Sequence, residues 1–398
     1  AAIALALSLT RMMLPMILFM GLGGVAAAVL NANRQFMAPA MVGLMNNLPV
    51  VLVLLFIGQG ERIGWVASAL VFGAAAGALI LVGQLPRLGF RFRLILDWRD
   101  PALAQVGRLI LPVVFSTGVI HFQDFVDRYL ASHLAEGSIS ALNYAVRVNS
   151  LPYGVVGAAI ATVLYPTLSE HAAARDSAAL RTTVGNGLRT LAFVLLPMAL
   201  GLFVFRAAIV QIFFQRGAFD PRATATTAYA LEFYALGILF FGWQDFLQRC
   251  FFALQDTITP LIAAAGLMLL SFGLKVALVG PLAHGGIALG MTLAALASTS
   301  FLLWRLRHRL GTIGGRALLR SWTLSLLTAA AGTAAGYLAY QLAARFWGNA
   351  SSIQQALRLS IGLGVLVVVH IGLAVALGNR EGTELADRFS RRLRKQKA

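Results

Sequence analysis

The chain has 398 residues, of which 59% are hydrophobic and 12% charged, with a mean hydropathy of +0.79. That is more apolar surface than a soluble domain of this size can bury, and it excludes an ordinary soluble enzyme. The net charge of +17 raises nucleic-acid binding, but the basic residues alternate with long apolar runs instead of forming one stripe, which excludes that class as well.

The pattern is that of an all-α polytopic membrane protein, with eleven apolar runs near the ~20 residues needed to cross a ~30 Å hydrocarbon core. The first three spans cover Met12 to Leu30, Ala38 to Ile57 and Gly64 to Leu85, a first bundle over residues 1–85. Residues 86–108, "PRLGFRFRLILDWRDPALAQVGR", are too charged to cross and suit an interfacial amphipathic connector. Six spans follow over 109–306: Leu109 to Leu130, Ile139 to Tyr165, Leu191 to Phe213, Ala223 to Phe246, Ile258 to Val279 and Gly286 to Leu306. Residues 307–379 hold a basic connector and two additional spans, Leu318 to Leu342 and Ile361 to Leu377, and 380–398 form a basic tail.

Twenty-two of the 32 basic residues fall on one set of loops, seven on the other, and only Arg11, Arg147 and Lys275 lie within or beside spans. The richer side is expected to be cytoplasmic and includes the C-terminal tail, whose cations suit anionic lipid headgroups. Eleven spans then put the N-terminus outside. The start "AAIALALSLTRMMLP" has neither an initiator Met nor a signal peptide and reads as cut. The single Cys250 allows no internal disulfide, and the Asn349 "NAS" match is near chance.

Two segments echo each other. "LNANRQFMAPAMVGLM" from Leu30 and "FALQDTITPLIAAAGLM" from Phe252 each end a helix, cross a polar turn and restart near Pro39 or Pro260. Proline is tolerated in a first turn, where its missing N–H has no helical partner. Such echoes are found in repeat-built transporters.

Intramembrane charge costs about 2.5–3.5 kcal/mol at a helix centre, so each such residue needs a partner or an aqueous cavity. The fourth span carries His121, Gln123, Asp124, Asp127 and Arg128, the seventh Glu232, Gln244 and Asp245, and the eighth Lys275. The fifth carries Arg147 with Asn143 and Asn149. Arg147 lies roughly 15 Å along the helix from Gly137, too deep for a loop residue. Pro152 and Gly154 follow it and predict a bend just inward of the charge.

Arg147 has two readings, a buried ion pair with Asp124 or Asp127, or a guanidinium facing a cavity and gripping phosphate bidentately. For Lys275 the favoured reading is snorkelling to the outer surface, and for His121 an interior hydrogen bond. Ser298 and Thr299 read as helix packing. Neither metal-ligand spacing nor an enzyme motif is present, so no catalytic residue, metal or cofactor is expected.

In order along the chain, "VDRYLASHLAEGSISALNYAVRVNSLPYGVVGAAIATVLYPTLSEHAA", "FFQRGAFDP" and "FALQDTITPL" resemble stretches of the MurJ (MviN) lipid II flippases of the multidrug/oligosaccharidyl-lipid/polysaccharide exporter superfamily. The likeness runs through nearly the whole chain. It implies an exporter-type two-lobe helix bundle, here beginning at the family's fourth span: the remainder of the N-terminal lobe, the C-terminal six-helix lobe and two extra helices.

The resemblance further implies that undecaprenyl-pyrophosphate-linked peptidoglycan precursor, lipid II, is carried across the bacterial inner membrane by alternating access. The partners are then this lipid or a related polyprenyl-pyrophosphate saccharide, membrane lipids and cell-wall synthesis proteins. Arg147 matches the family's cavity arginine, with Asn143 and Asn149 as further substrate contacts and Asp124, Asp127 and Lys275 as charge partners. Val146 stands where relatives commonly have an acidic residue or Asn. Ser271 and Lys275 match a polar pair that holds sodium in some relatives, and an ammonium paired with Asp127 would replace that ion. Rival readings are an exporter of another lipid-linked saccharide, a drug/cation antiporter, a polyprenyl-lipid transferase and a non-transporting scaffold.

Overall fold

A computed structural model of the chain describes residues 2–56, 62–90, 110, 118, 121–347 and 351–384. The chain divides into two compact units, 1–104 and 105–398. The division falls inside the expected connector, of which 91–108 lie outside the described residues, as do most of 109–120, the Asn349 motif and the tail from 385.

The first unit holds α1 (Ala2–Ala32), α2 (Met37–Phe56) and α3 (Arg62–Gln84), closed by a short 3-10 turn, Leu85–Leu88. Helix α3 is the hub. Gly73 lets it approach α2 so closely that an added β-carbon would stand 2.9 Å from the Met45 and Asn46 carbonyl oxygens. Ala26, Leu30, Ala38, Leu81 and Leu85 form its small core. Large apolar side chains such as Ile17, Val25 and Leu55 instead face outward. In lipid that exposure costs nothing, and small residues bring the helices together.

The second unit holds α4 (residues 121–132), α5 (Ser138–Ala173), α6 (Ser177–Phe214), α7 (Pro221–Ala235), α8 (Ile238–Ala253), α9 (Ile258–Leu310), α10 (Gly315–Phe346) and α11 (Ser352–Ala376). Helix α6 is its spine, with seventeen buried residues. Gly187 receives the Phe246 ring, Leu195 sits on Gly242, and Trp243 Nε1 donates to Leu188 O at 3.0 Å. Helices α10 and α11 cross through Gly332, Gly336 and Gly362, where an added β-carbon on Gly336 would stand 2.4 Å from Gly362 O. This is a Gly-x-x-x-Gly contact that only glycine permits.

Six described helices are long and apolar enough to cross a membrane, seven with α7 and α8 taken as one broken span. The fold is all-α and multi-pass. The expected seventh span is not continuous: it bends by 49° between α7 and α8. Gly237, at the break, touches the Phe241 ring and Thr292 Oγ1 so closely that a β-carbon would collide. Thr292 Oγ1 donates to Phe233 O at 2.9 Å, which takes up a carbonyl the break releases.

The eighth and ninth spans form one hairpin, reversing at Ala283 (φ 47°, ψ −134°). Lys275 lies against Gly290, Leu278 against Gly286, and Ser298 Oγ donates to Ala263 O at 3.4 Å, so the arms run antiparallel. Thr299 Oγ1 donates to Phe240 O at 3.0 Å, a packing role like that of Ser298.

The two echoing segments share one turn. Gln35 N donates to Leu30 O and Arg34 N to Asn31 O, while Asp256 N donates to Phe251 O and Gln255 N to Phe252 O. Arg34 and Gln255 both adopt the left-handed conformation (φ 60° and 58°), and each precedes its proline by five residues. These are matching Schellman turns, six-residue helix stops that satisfy the last carbonyls.

Asp256 then caps α9, accepting from Thr259 N (2.9 Å) and Thr259 Oγ1 (2.8 Å) and pairing with Arg309 (2.8 Å) at the far end of the hairpin. Burial pushes its carboxyl up, but the Thr259 hydrogen bonds and the Arg309 charge outweigh it and hold it below the usual 3.8. A depressed folded value gives stability that is complete above the unfolded value and lost as pH falls through the folded one. Unfolding midpoints measured in detergent from pH 6 to 3 are expected to drop more steeply at the acid end for the native chain than for Asp256→Asn.

Candidate functional site

The described polar groups of the second unit sort into an exposed set on α5 and a buried set linking α4 to α9. On α5, successive residues turn by 100°, so Asn143, Arg147 and Leu151 share one stripe while Asn149 faces away. Asn143 and Arg147 are exposed, beside the 42% exposed Val146, whereas Ala145, Val148 and Asn149 are buried. Arg147 makes no ion pair among the described residues. Asn143 Nδ2 donates to Ile139 O at 3.0 Å, which leaves its amide oxygen as an outward acceptor.

Three expectations change here. Asn149, read as a substrate contact, is only 3% exposed and its Oδ1 has no hydrogen-bond partner. Two residues beyond Arg147 on a helix is nearly the opposite face. The ion pair between Arg147 and Asp124 or Asp127 is absent: Asp124 is exposed, and Asp127 is taken by another cation. Helix α5 also runs unbroken through Pro152, with Gly154 exposed and open space around its α-carbon.

The cation that takes Asp127 is Lys275. Its Nζ lies 2.5 Å from Asp127 Oδ1, and its side chain is 1% exposed. Snorkelling is thereby overturned. Gly290 on the facing arm is the reason: a β-carbon there would stand 2.9 Å from Lys275 N and Cγ, so the glycine makes the slot that receives the lysine stem. Ser271, one turn before Lys275, is equally buried, its hydroxyl 3.8 Å from Met291 Sδ. Tyr234 and Asp124 lie within electrostatic reach of Asp127.

The remaining intramembrane charges are paired or exposed. Arg206 meets Glu232 at 3.0 Å, and Arg249 meets Asp245 at 3.1 Å. His121, expected to make an interior hydrogen bond, is exposed on α4.

An apolar cleft of about 440 Å³ opens along α6 and α11 and reaches Pro152 on α5. Val194, Pro197, Met198, Leu363 and Val367 line it. His370 is its polar residue, and both ring nitrogens are engaged, Nδ1 with Thr328 Oγ1 at 3.0 Å and Nε2 with Phe193 O at 3.1 Å. The wall therefore offers a ligand apolar contact only. Sequence reasoning missed this cleft because α11, which supplies one wall, lies about 150 residues beyond α6, which supplies the other.

The sequence profile of the family described as "Lipid II flippase MurJ" matches residues 1–369. The chain is 28% identical to the lipid II flippase MurJ of Burkholderia cenocepacia over 316 residues, covering 77% of this chain and 61% of that protein. It is 28% identical to the probable lipid II flippase MurJ of Synechocystis sp., covering 92% of this chain and 71% of the relative, and likewise 28% identical to that of Vibrio cholerae, covering 94% and 72%. The chain thus spans about three fifths to three quarters of the length of these relatives. A solved structure titled "Lipid II flippase MurJ, inward closed conformation" superposes with a TM-score of 0.75 at 22% identity, covering 93% of this chain and 74% of the other. With a profile match across most of its length and a shared all-helical fold, the chain belongs to the MurJ lipid II flippase family.

Proposed function

We propose that the protein translocates lipid II across the bacterial cytoplasmic membrane, as a transporter rather than an enzyme, with its C-terminus on the cytoplasmic side. The observation that carries this reading is Arg147: an exposed guanidinium more than two turns into α5, with no carboxylate partner among the described residues. Its planar fork of donors suits a pyrophosphate, which can accept two parallel charge-assisted bonds. Asn143 Oδ1, one turn away on the same stripe, is placed to accept from a sugar hydroxyl or peptide N–H of the headgroup.

The polyprenyl tail suits the cleft along α6 and α11, whose lining is almost wholly hydrocarbon. Pro152 lies five residues beyond Arg147, about 7.5 Å along the axis and roughly 140° around it, so the tail would reach the cleft past another face of α5. Asp127 is neutralised by Lys275 and does not compete for the arginine. Delivery of the precursor to cell-wall synthesis proteins on the outer face completes the role.

In cells depleted of their own lipid II flippase, the gene encoding this chain is expected to restore growth and its Arg147→Ala variant to fail at equal expression. Arg147→Lys, which keeps charge but loses the fork, should support slower growth. Full growth with Arg147→Ala would refute the assignment.

A further inference from the structure

At one end of the 105–398 unit, the connector of residues 311–314 lies over the first turns of α6. A cleft of about 340 Å³ opens there. Its wall holds Arg181 and Arg189, the threonines 182 and 312, and Gly314, and no carboxylate lines it. A β-carbon on Gly311 would stand 3.2 Å from an Arg181 Nη, and one on Gly185 would stand 3.4 Å from Ile313 O. The connector thus rests directly on α6 and on the guanidinium.

The two arginines differ in how they are satisfied. Arg189 Nη2 donates to Asn186 Oδ1, and its Nε is 3.2 Å from Glu381 Oε1. Arg181 Nε donates only to Ser177 O at 3.0 Å, and this half-buried residue has no ion pair among the described residues. Glu381 compensates Arg189, so Arg181 is the cleft's charge still open to an anion. Thr182 Oγ1 already donates to Ala178 O at 3.0 Å, so the Thr312 hydroxyl and the fork of guanidinium donors are the groups here that suit a tetrahedral oxyanion. Helix α10 begins beside the cleft at Gly315, with no side-chain cap and no acidic residue in its first turn, which adds favourable potential for an anion.

We infer that this cleft binds the phosphodiester headgroup of an anionic membrane phospholipid. Its surroundings favour a lipid over a free anion. Trp304 and Leu319 are exposed on the flanking helices, and Leu327 is exposed two turns further along α10, so an acyl chain leaving the cleft meets an apolar track. Arg307 and Arg316, within a few residues of the connector on either side, are exposed and add to the basic character of this end, as in basic pockets that recruit anionic headgroups. The lipid would hold the α9–α10 connector against α6.

The test compares native, Arg181→Gln and Arg216→Gln proteins, the last removing an exposed charge from the loop at the other end of α6. Each is purified in neutral detergent and titrated with phosphatidylglycerol, phosphatidylcholine or inorganic phosphate, with bound lipid counted by native mass spectrometry and the unfolding midpoint followed in parallel. Phosphatidylglycerol is expected to bind and raise the midpoint of native protein and Arg216→Gln alike, and to bind Arg181→Gln about tenfold more weakly, the effect of losing one charge-assisted contact. Thr312→Val, which leaves every arginine in place, should weaken binding by less and serves if Arg181→Gln does not fold. Equal weakening in Arg181→Gln and Arg216→Gln would mean unspecific charge attraction and overturn the site. An equal response to inorganic phosphate would overturn the lipid as its source.

Discussion

Replacing Asp127 with Asn is expected to destabilise the protein more than replacing Lys275 with Met, although both break the same bond. Losing one partner of a buried ion pair costs about 3–5 kcal/mol, because the survivor keeps its charge without compensation. The two survivors here are not equivalent. Lys275 is 1% exposed and walled in by Gly290, whereas the Asp127 side chain keeps 26% of its surface accessible. Asp127→Asn strands a sealed ammonium and belongs at the upper end of that range. Lys275→Met leaves a carboxylate that water can reach and belongs at the lower end. The double variant Asp127→Leu/Lys275→Met removes both charges and is expected to regain most of the loss, since apolar replacements of buried pairs are often neutral or better. Thermal unfolding of the four proteins in one detergent gives the order directly. A double variant as unstable as Asp127→Asn alone would show that charge compensation is not what the pair provides.

Gly286→Ala is the second large effect. Alanine would gain about 1 kcal/mol in helix propensity over glycine. Against that, its methyl group would stand 2.1 Å from the Leu278 carbonyl oxygen, on the facing arm of α9. No rotamer change relieves a clash with backbone, so the arms must separate, and the expected net loss is about 3 kcal/mol, the upper end of overpacking costs. Because Gly290 and Lys275 meet one turn deeper in the same seam, the separation should also loosen the ion pair. Gly273→Ala is the control, since nothing lies within 4 Å of an added β-carbon there. It should match or exceed native stability in the same unfolding assay.

That the chain is all-α and multi-pass was legible because apolar runs of membrane length need no tertiary information to recognise; six described helices, or seven with the broken pair, meet that length and apolarity where eleven spans were expected. Helix limits were not legible, since the membrane fixes only the middle of a helix. Helix α6 begins at Ser177, capped by Asp176, and α11 at Ser352, behind the Ser351–Gln354 capping box, well before the apolar runs at Leu191 and Ile361. Both caps are readable in "ARDSAA" and "SSIQQ", but hydropathy passes over them.

The break at Gly237 was hidden for another reason: the sequence around it stays apolar, and a contact that stabilises it comes from Thr292 on α9. The reversal at Ala283 was legible, because Gly280, Pro281 and His284 interrupt the apolar run between the spans ending at Val279 and starting at Gly286. Of the site residues, Arg147 and Asn143 stand exposed on one stripe as their i, i+4 spacing requires. Asn149 could have been set aside on its 200° offset alone. Read along its own helix Lys275 was expected to snorkel, whereas the family resemblance had already paired it with Asp127; its burial depends on the slot at Gly290. The run "GGIALG" was the readable sign of that slot.

The pairing of Asp127 with Lys275 also bears on how the chain enters the bilayer. Asp127 leaves the ribosome roughly 150 residues before Lys275, a delay of about 7–30 s at common rates of synthesis. The carboxylate, on the partner that stays partly accessible, is thus inserted first and waits. The ammonium follows on the first arm of a hairpin that reverses at Ala283, and Gly290 on the second arm then closes the slot around its stem. The costlier charge of the pair is therefore the one that never has to cross into the membrane without its partner in place.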